Sequence, residues 1–183
     1  MTDDVDASET SGVHSAAFRP LRIAVMTVSD TRTEATDESG KILVERAGTA
    51  GHEVVAKVIV ADEQAAIEAQ LRSWIADAQV EVVLSTGGTG VTGRDVTPEA
   101  FEAVYEKSIP GFGELFRWQS YQSIGTTTIQ SRATAGVAGG TYLFALPGSR
   151  GAVRDAWDGI LRDQLDIRHK PCNFAELIER LRE

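Results

Sequence analysis

The residues most suited to chemistry lie in a glycine-rich segment, residues 87–93, that follows an apolar run. Within its seven positions stand four glycines, Gly87, Gly88, Gly90 and Gly93. Glycine lets the backbone adopt positive φ and approach a ligand without a side chain in the way. The exposed N–H groups of such a loop can surround an anion. Further donors come from the hydroxyls of Thr86, Thr89 and Thr92. The segment therefore predicts a phosphate-binding loop.

Two familiar nucleotide-binding motifs do not fit this segment. Residues 88–93 formally match G-x-G-x-x-G, but in dinucleotide-binding folds the third glycine lies inside an opening helix. Here residues 95–98 intervene, and the match follows the third predicted strand rather than the first. The Walker motif requires a lysine next to its last glycine, and no lysine occurs between Lys57 and Lys107.

Two carboxylates stand beside the predicted strand ends. Asp95 closes the glycine-rich segment next to Arg94, and Asp62 follows the second predicted strand. Because Mg²⁺ takes one or two carboxylates and completes its shell with phosphate oxygens and water, we predict that Asp95, facing bound phosphates, helps hold Mg²⁺. The local alternatives are a turn or cap formed by Asp95 and a helix N-cap formed by Asp62. Candidate sources of positive charge are Arg32, Arg94 and Arg150.

Strand-like and helix-like patterns alternate along the chain. Compact apolar runs predict strands over 21–28, 53–60, 80–85 and 141–146, and helical spacing of apolar residues follows each run. This alternation predicts a mostly parallel sheet covered on both faces, a three-layer α/β/α sandwich. Residues 37–40, which open with Asp37, are suited to the start of a helix, and Thr97, before Pro98, and Ser149 are predicted to cap helices. Trp74 and Trp157 are predicted to be buried, whereas Trp118 lies off its helix's apolar stripe and is predicted to face a subunit partner.

In open parallel sheets, ligands bind beyond the carboxyl ends of the strands. Four such ends are predicted here, and the loops that follow them would form one continuous crevice. Besides the catalytic candidates Asp62 and Asp95, the predicted substrate-binding residues are Ser29, Asp30, Thr86, Gly87, Gly88, Thr89, Gly90, Arg94, Pro147, Gly148 and Ser149.

Composition narrows the function classes. The chain has 183 residues, 18 basic and 27 acidic, for a formal net charge of −9. That balance opposes general nucleic-acid binding, because an acidic surface repels a phosphate backbone. No apolar run reaches the roughly 18 residues that a membrane helix needs. Residues 1–18 are acidic, unlike a signal peptide, and are predicted to form a mobile tail before a single domain over 19–183.

Cysteine use indicates a reducing environment. Cys172 is the one cysteine, so no internal disulfide forms and a cytoplasmic location is predicted. His169 and Cys172 form a His-x-x-Cys pair with no second pair to complete a metal site, so we interpret it as a loop that enters the C-terminal segment.

Several of these motifs together resemble the MoaB/Mog family of molybdenum-cofactor biosynthesis proteins, which includes molybdopterin adenylyltransferase. The resemblance covers about residue 20 to the end. Its specific part is TGGTGVTGRDVTPEA over 86–100, supported by VSDTR over 28–32, PGFGE over 110–114 and LPGS over 146–149. The SRA turn over 131–133 and the RHKPCNF segment over 168–174 are more similar to the MoaB branch than to the Mog branch.

The resemblance implies a three-layer α/β/α fold assembled as homo-trimers or homo-hexamers, with other proteins of the pathway as further partners. It also implies a reaction in which the terminal phosphate of molybdopterin attacks the α-phosphate of MgATP, giving adenylyl-molybdopterin and pyrophosphate. The family's two functionally important acidic positions correspond to Asp62 and Asp95, and its ligand-contacting glycine loop corresponds to residues 86–90.

A second class of function stays open beside the enzyme. Some MoaB-branch proteins with a degraded Arg-Asp-Val-Thr segment do not adenylylate, so the alternative is a non-catalytic molybdopterin-binding or scaffold protein. This chain keeps Arg94 and Asp95 in the intact run over 94–98, which favours the enzyme. The sequence leaves three points open: whether the eventual metal is molybdenum or tungsten, whether the assembly is a trimer or a hexamer, and whether a paralogue does the main work.

Overall fold

The computed structural model describes residues 17–183, and its centre is a six-stranded sheet in the order β2-β1-β3-β6-β5-β4. The strands are Arg22–Val28 (β1), Glu53–Val60 (β2), Val82–Thr86 (β3), Lys107–Ser108 (β4), Thr134–Ala138 (β5) and Thr141–Leu146 (β6). Strands β2, β1, β3 and β6 pair in parallel, whereas β5 is antiparallel to both of its neighbours. The mostly parallel sheet is confirmed. The antiparallel edge formed by β4 and β5 was not predicted, and β3 begins two residues later than expected.

Seven α-helices are described in residues 17–183. They are Glu38–Thr49 (α1), Gln64–Ile75 (α2), Thr97–Glu102 (α3), Pro110–Ile124 (α4), Arg150–Ala156 (α5), Arg162–Gln164 (α6) and Phe174–Leu177 (α7). A π-helical turn, Trp157–Leu161, separates α5 from α6, so the long helix expected after β6 is interrupted there. Within the described residues, no helix combines the length and apolarity needed to cross a membrane.

The helices cover both faces of the sheet, as the three-layer prediction requires. On one face Leu43 of α1, Phe116 of α4 and Val153 of α5 share a buried cluster with strand residues such as Leu84 and Phe144. On the other face, residues of α2 and α3 pack against the alternate side chains of the same strands. The strands are therefore apolar on both sides, which explains the unbroken apolar runs in the sequence. Trp74 and Trp157 are buried, one on each face, as predicted.

Two of the helix caps suggested by the sequence are present and two are not. The side chains of Asp37 and Ser149 accept hydrogen bonds from backbone N–H groups at the starts of α1 and α5. The prediction for Thr97 is wrong: α3 already begins at Thr97, and its buried hydroxyl donates to the Gly87 carbonyl oxygen instead. The cap interpretation of Asp62 is also wrong, because α2 begins at Gln64 and the Asp62 carboxylate accepts from the Asp30 amide.

The predicted N-terminal tail falls mostly outside the described residues, which begin at residue 17. Phe18 belonged to that tail in our interpretation. Its ring lies 5.3 Å from the buried ring of His52, and the Arg168 guanidinium lies over it at 4.9 Å. Phe18 is thus in contact with the body of the protein.

Candidate functional site

The loops that follow β2, β1, β3 and β6 lie side by side at one edge of the sheet. Asp30, after β1, and Asp62, after β2, exchange two hydrogen bonds, each carboxylate accepting from the other residue's amide at 3.1 and 3.0 Å. The Gly87 amide, after β3, donates to the Leu146 carbonyl at the end of β6 at 3.0 Å. The structure therefore brings the predicted site residues into one row.

The glycine loop, residues 87–90, has all four of its carbonyl oxygens hydrogen-bonded from outside the loop. Thr97 serves two of them, its hydroxyl donating to Gly87 O at 2.9 Å and its amide to Gly88 O at 3.0 Å. Arg132 serves the other two, its amide donating to Thr89 O at 2.9 Å and its Nε to Gly90 O at 2.6 Å. Among residues 17–183, the N–H groups of Gly88 and Thr89 have no such partner. The loop thus presents donors rather than acceptors to a ligand.

Glycine is required at the start of this loop. Gly87 and Gly88 have φ angles of +109° and +63°, which other residues rarely adopt. A Cβ on Gly87 would overlap the Val28 carbonyl oxygen, and one on Gly88 would overlap the Thr97 hydroxyl. The loop is therefore packed against β1 on one side and α3 on the other.

The two candidate acidic residues flank the loop. A Cβ built on Gly88 would lie 3.1 Å from Asp62 Oδ1, and one built on Gly90 would lie 2.8 Å from Asp95 Oδ2. Asp95 Oδ2 accepts from the amide and hydroxyl of Thr92 at 2.8 and 2.6 Å, so Asp95 also closes a local turn. Asp95 therefore forms the local turn that the sequence left open as an alternative, and it also lies beside the glycine loop.

The pKa values of the Asp62 and Asp95 carboxyl groups are shifted in opposite directions. Burial raises the pKa of the Asp62 carboxyl above its ordinary value, and the negative charges of Asp30 and Asp95 add to that effect. Burial also acts on Asp95, but hydrogen bonds from Thr92 and Gly90 outweigh it and hold the pKa of Asp95 below its ordinary value. Asp95 therefore holds its proton less strongly than Asp62 and stays ionised to lower pH, which suits a ligand for a cation.

The predicted cationic residues have protein partners in the structure. Arg94 forms an exposed ion pair with Asp30, and this guanidinium, together with the Asp62 amide, lowers the pKa of the Asp30 carboxyl. Arg150 pairs with Glu38 at 3.2 Å, while Arg32 donates to the Thr36 carbonyl at 3.3 Å. Their charges lie near the strand ends but are partly compensated.

The proline loop, residues 147–149, faces the glycine loop. The Thr86 hydroxyl donates to Pro147 O at 2.9 Å, and the Ser39 hydroxyl donates to Gly148 O at 3.0 Å. A Cβ on Gly148 would lie only 3.2 Å from the Gly87 Cα, so the two loops are in close contact. They form a partition between two cavities.

The two cavities differ in size and lining. The first, about 620 Å³, has glycine-loop residues on one wall and α4 and α5 on the others; its lining includes Phe116, Ile124, Thr128, Gln130, Ser131 and Asp155. The second, about 550 Å³, lies toward β1 and α1; its lining includes Thr27, Ser29, Arg32, Asp37, Ser39 and Arg150. Gly148 and Ser149 line both. The first cavity therefore combines apolar walls with hydroxyls and amides, and the second is rich in charged groups.

The residues present fit a magnesium ion that is shared with phosphates. Within the described part of the chain, no group of three or more His, Cys, Asp or Glu side chains is placed to hold a metal alone. Mg²⁺ needs only one or two carboxylates when substrate phosphates supply other ligands. Asp95, with Asp62 close by, meets that requirement beside the unpaired amides of Gly88 and Thr89.

Sequence reasoning missed three residues that shape this site. Thr97 and Arg132 bind the carbonyls of the glycine loop, and Ser39 binds the proline loop. Arg132 stands in the SRA turn that carried part of the family resemblance, and that turn was the one available signal. No pattern indicated which backbone its guanidinium contacts, because the contact joins segments 42 residues apart.

An α/β sheet with a donor-lined glycine loop at its carboxyl edge, flanked by two carboxylates, is typical of proteins that bind phosphate-bearing ligands. The comparisons with known proteins narrow that class. The family model described as "Probable molybdopterin binding domain" matches residues 24–167.

Two relatives share the name molybdenum cofactor biosynthesis protein B. The one from Escherichia coli (strain K12) is 52% identical over 160 residues, 87% of this chain and 94% of the relative. The one from Bacillus subtilis (strain 168) is 46% identical over 146 residues, 79% and 86% of the two chains.

Solved structures agree with these relatives. A crystal structure of molybdenum cofactor biosynthesis protein B superposes with a TM-score of 0.83 at 41% identity and covers 91% of this chain and 98% of that one. The tungsten cofactor synthesizing protein MoaB from Pyrococcus furiosus superposes with a TM-score of 0.72 at 32% identity over 91% and 100%. This chain belongs to the MoaB-type molybdenum cofactor biosynthesis family.

Proposed function

We propose that this protein adenylylates molybdopterin with MgATP, giving adenylyl-molybdopterin and pyrophosphate. The observation that carries the proposal is the glycine loop, whose carbonyls are all turned away while the amides of Gly88 and Thr89 are left without partners between Asp62 and Asp95. Such a loop suits the oxygens of transferring phosphates, which nucleotidyl transfer must hold and neutralise.

The reaction needs no nucleophile from the protein. An oxygen of the molybdopterin terminal phosphate attacks the α-phosphorus of ATP, the new P–O bond forms, and the bond from the α-phosphorus to the bridging oxygen breaks to release pyrophosphate. The protein's contribution is to hold the two phosphates together and to stabilise their charge. We assign the amides of Gly88 and Thr89 to the phosphate oxygens.

Asp95 and Asp62 have different parts in this proposal. Asp95, ionised and beside Gly90, would hold Mg²⁺, and Asp62 would support its placement. Mg²⁺ supplies charge neutralisation across the phosphates when it is bound. Asp62 also fixes the end of β1 through the Asp30 amide, so it keeps the neighbouring loop in place even without the metal.

The two cavities suggest how the substrates are divided. We assign the pterin to the first cavity, where Phe116 and Ile124 supply apolar surface and Gln130 and Asp155 supply polar partners for ring nitrogens and oxygens. We assign the nucleotide to the second cavity, where Arg32 and Arg150 lie near the charged lining. The partition formed by Gly87 and Gly148 then marks the point where the phosphates meet.

The test is an anaerobic assay with purified protein, molybdopterin and MgATP that follows transfer of AMP to the pterin. We expect Asp95→Asn to lower turnover by about 100-fold or more, since it removes the carboxylate that would hold Mg²⁺ beside the transferring phosphates. Asp163→Asn is the matched control, because Asp163 is an exposed carboxylate that lines neither cavity. It should retain activity.

Two results would contradict the proposal. Molybdopterin binding without any AMP transfer in the wild type would move the protein to the alternative of a binding or scaffold protein. Equal turnover in wild type and Asp95→Asn would remove Asp95 from the reaction. Thermal unfolding of each variant separates loss of activity from loss of fold.

We also propose that the protein is a homo-trimer or homo-hexamer. Helix α4 presents Leu115, Trp118 and Tyr121 to solvent, with Trp118 66% exposed, and such an apolar stripe is uncommon on a monomer. Leu115 is exposed as well, and it widens the stripe that Trp118 begins. Light scattering coupled to gel filtration measures the assembly. A monomer at micromolar concentration would contradict it.

A further inference from the structure

We propose that Arg132 is a positioning residue that sets the shape of the glycine loop and of the segment that carries Asp95. The role rests on the proposed function of that loop. Arg132 lies just before β5, 42 residues after Gly90 in the chain, and its donors reach Thr89 and Gly90 of the loop and the main chain of Asp95. No other side chain in the described part of the chain donates hydrogen bonds to the carbonyl oxygens of both Gly90 and Asp95.

The contacts of Arg132 span the whole segment from Thr89 to the first turn of α3. Its amide donates to Thr89 O at 2.9 Å, its Nε to Gly90 O at 2.6 Å and its Nη2 to Asp95 O at 2.5 Å. Its Nη1 pairs with the Glu99 carboxylate. The guanidinium therefore bridges the two ends of the turn over 90–95, the turn that Thr92 closes from inside through Asp95 Oδ2.

The geometry requires a guanidinium rather than any cation. The three guanidinium nitrogens lie in one plane and present donors in fixed directions, so one arginine can reach Gly90 O, Asp95 O and Glu99 together. A lysine has one nitrogen and can serve only one of those places at a time. The side chain is 34% exposed, so its bonds to neutral carbonyls are shielded from water over much of their surface.

The consequence for ligand binding follows from the backbone. With Gly90 O held by Arg132, the peptide unit that joins Gly90 to Val91 is fixed where the chain leaves the loop, whereas Thr97 fixes the peptide units that carry the Gly88 and Thr89 amides. Asp95 is held at its main chain by Arg132 and at its side chain by Thr92. A change at Arg132 releases Gly90 and Asp95 together but keeps the main-chain bond to Thr89, since any residue retains that amide.

A competing interpretation makes Arg132 half of a surface ion pair with Glu99. Exposed ion pairs of that kind contribute about 0–1 kcal/mol to the free energy of unfolding and do not depend on the conformation of the glycine loop. Glu99→Ala removes the ion pair and leaves the bonds to Gly90 and Asp95 intact, and Ala suits the helical position. Glu99 is therefore the control that separates the two interpretations.

The experiment compares wild type, Arg132→Lys and Glu99→Ala by amide hydrogen exchange, thermal unfolding and the adenylyl-transfer assay. We expect Arg132→Lys to speed exchange over residues 88–96 by about 10-fold, with the rest of the chain unchanged and little change in melting temperature, because only this segment is released. We expect kcat to fall by about 10- to 100-fold with a smaller change in KM, because misplaced phosphates slow the chemical step. Glu99→Ala should stay within about 2-fold of wild type in each property.

Two outcomes overturn the proposal: unchanged exchange over 88–96 in Arg132→Lys, or equal effects of Arg132→Lys and Glu99→Ala. Failure of the proposed function is recognised separately. If wild type transfers no AMP, that function is wrong, and hydrogen exchange together with the affinity for molybdopterin alone still decides whether Arg132 shapes the loop. In that case a weaker affinity in Arg132→Lys, but not in Glu99→Ala, supports the positioning role.

Discussion

The glycine loop and the proline loop follow neighbouring parallel strands, β3 and β6, and face each other across the partition between the cavities. Both have their carbonyls turned away from the ligand by hydrogen bonds from outside the loop. They differ in how this is done. The proline loop uses two hydroxyls, from Thr86 and Ser39, and needs no positive φ.

The glycine loop requires more. Two of its residues have positive φ, it is packed against the β1 backbone, and it depends on a charged side chain from a distant segment, Arg132. The difference teaches that a glycine loop with unpaired amides is held in a conformation that its own residues do not favour. Glycine permits that conformation, and donors from elsewhere select it. The proline loop is closer to a conformation that its own sequence prefers.

The largest difference that we expect between the two loops is in the stability lost when one of their glycines is replaced by alanine. Gly87→Ala places a Cβ against the Val28 carbonyl oxygen at a φ of +109°, and we expect it to lower the free energy of unfolding by about 3 kcal/mol or more. Gly148→Ala meets the Gly87 Cα at 3.2 Å without positive φ, and about 1 kcal/mol is expected. Urea unfolding of both variants measures the difference. Equal losses would show that the two loops are under similar constraint.

A second contrast lies in the carboxylates behind the loops. Asp37 is buried at the start of α1, beside the second cavity, where burial is outweighed by Lys57, the Gly40 amide and the Thr27 hydroxyl, so the pKa of Asp37 lies below its ordinary value of 3.8. Its stabilisation is therefore present above pH 3.8 and is lost as the pH falls through the lowered value. Asp37→Asn should cost about 2 kcal/mol at pH 7, because Lys57 loses a buried partner.

The pKa of Asp62, beside the glycine loop, is shifted in the opposite direction. Because the pKa of Asp62 is raised in the folded protein, this carboxyl group stabilises the fold fully only below pH 3.8, and the stabilisation is lost as the pH rises through the raised pKa. At neutral pH the ionised carboxylate therefore opposes folding. Asp62→Asn should therefore leave the melting temperature at pH 7 unchanged or higher, while turnover falls. A loss of stability at pH 7 comparable to that of Asp37→Asn would contradict this assignment.

The smallest expected contrast is between the hydroxyls that hold the two loops. Thr97→Val leaves the Gly87 carbonyl without its buried donor, and we expect a loss of about 1–2 kcal/mol. Thr86→Val does the same to the Pro147 carbonyl, which is less buried, so about 1 kcal/mol is expected. Valine matches threonine in shape, so chemical unfolding of the pair compares hydrogen bonds rather than packing. A larger loss for Thr86→Val would reverse the ranking of the loops.

Local sequence determined much of the framework. The apolar runs of β1, β3 and β6 are buried on both faces, and that of the edge strand β2 is partly buried; all four were recognised because parallel strands show compact apolar runs. Asp37 and Ser149 were recognisable because a cap acts on a backbone amide only a few residues away. The glycine loop was visible because its spacing exceeds what a simple turn requires. These features depend on neighbours in the chain, so the sequence carries them directly.

Tertiary structure decided what those features contact. Thr97 met every local requirement for a helix cap. In the structure, however, the end of β3 lies beside it, and the Thr97 hydroxyl donates to the buried carbonyl oxygen of Gly87 instead of capping α3. Asp62 lost its expected cap role to the Asp30 amide, 32 residues away. Arg132 depends on a β5 strand that the short, small-residue run over 134–138 did not predict. Composition and periodicity determine which segments form strands and helices, but the order of strands in the sheet determines which distant donor reaches an unpaired carbonyl.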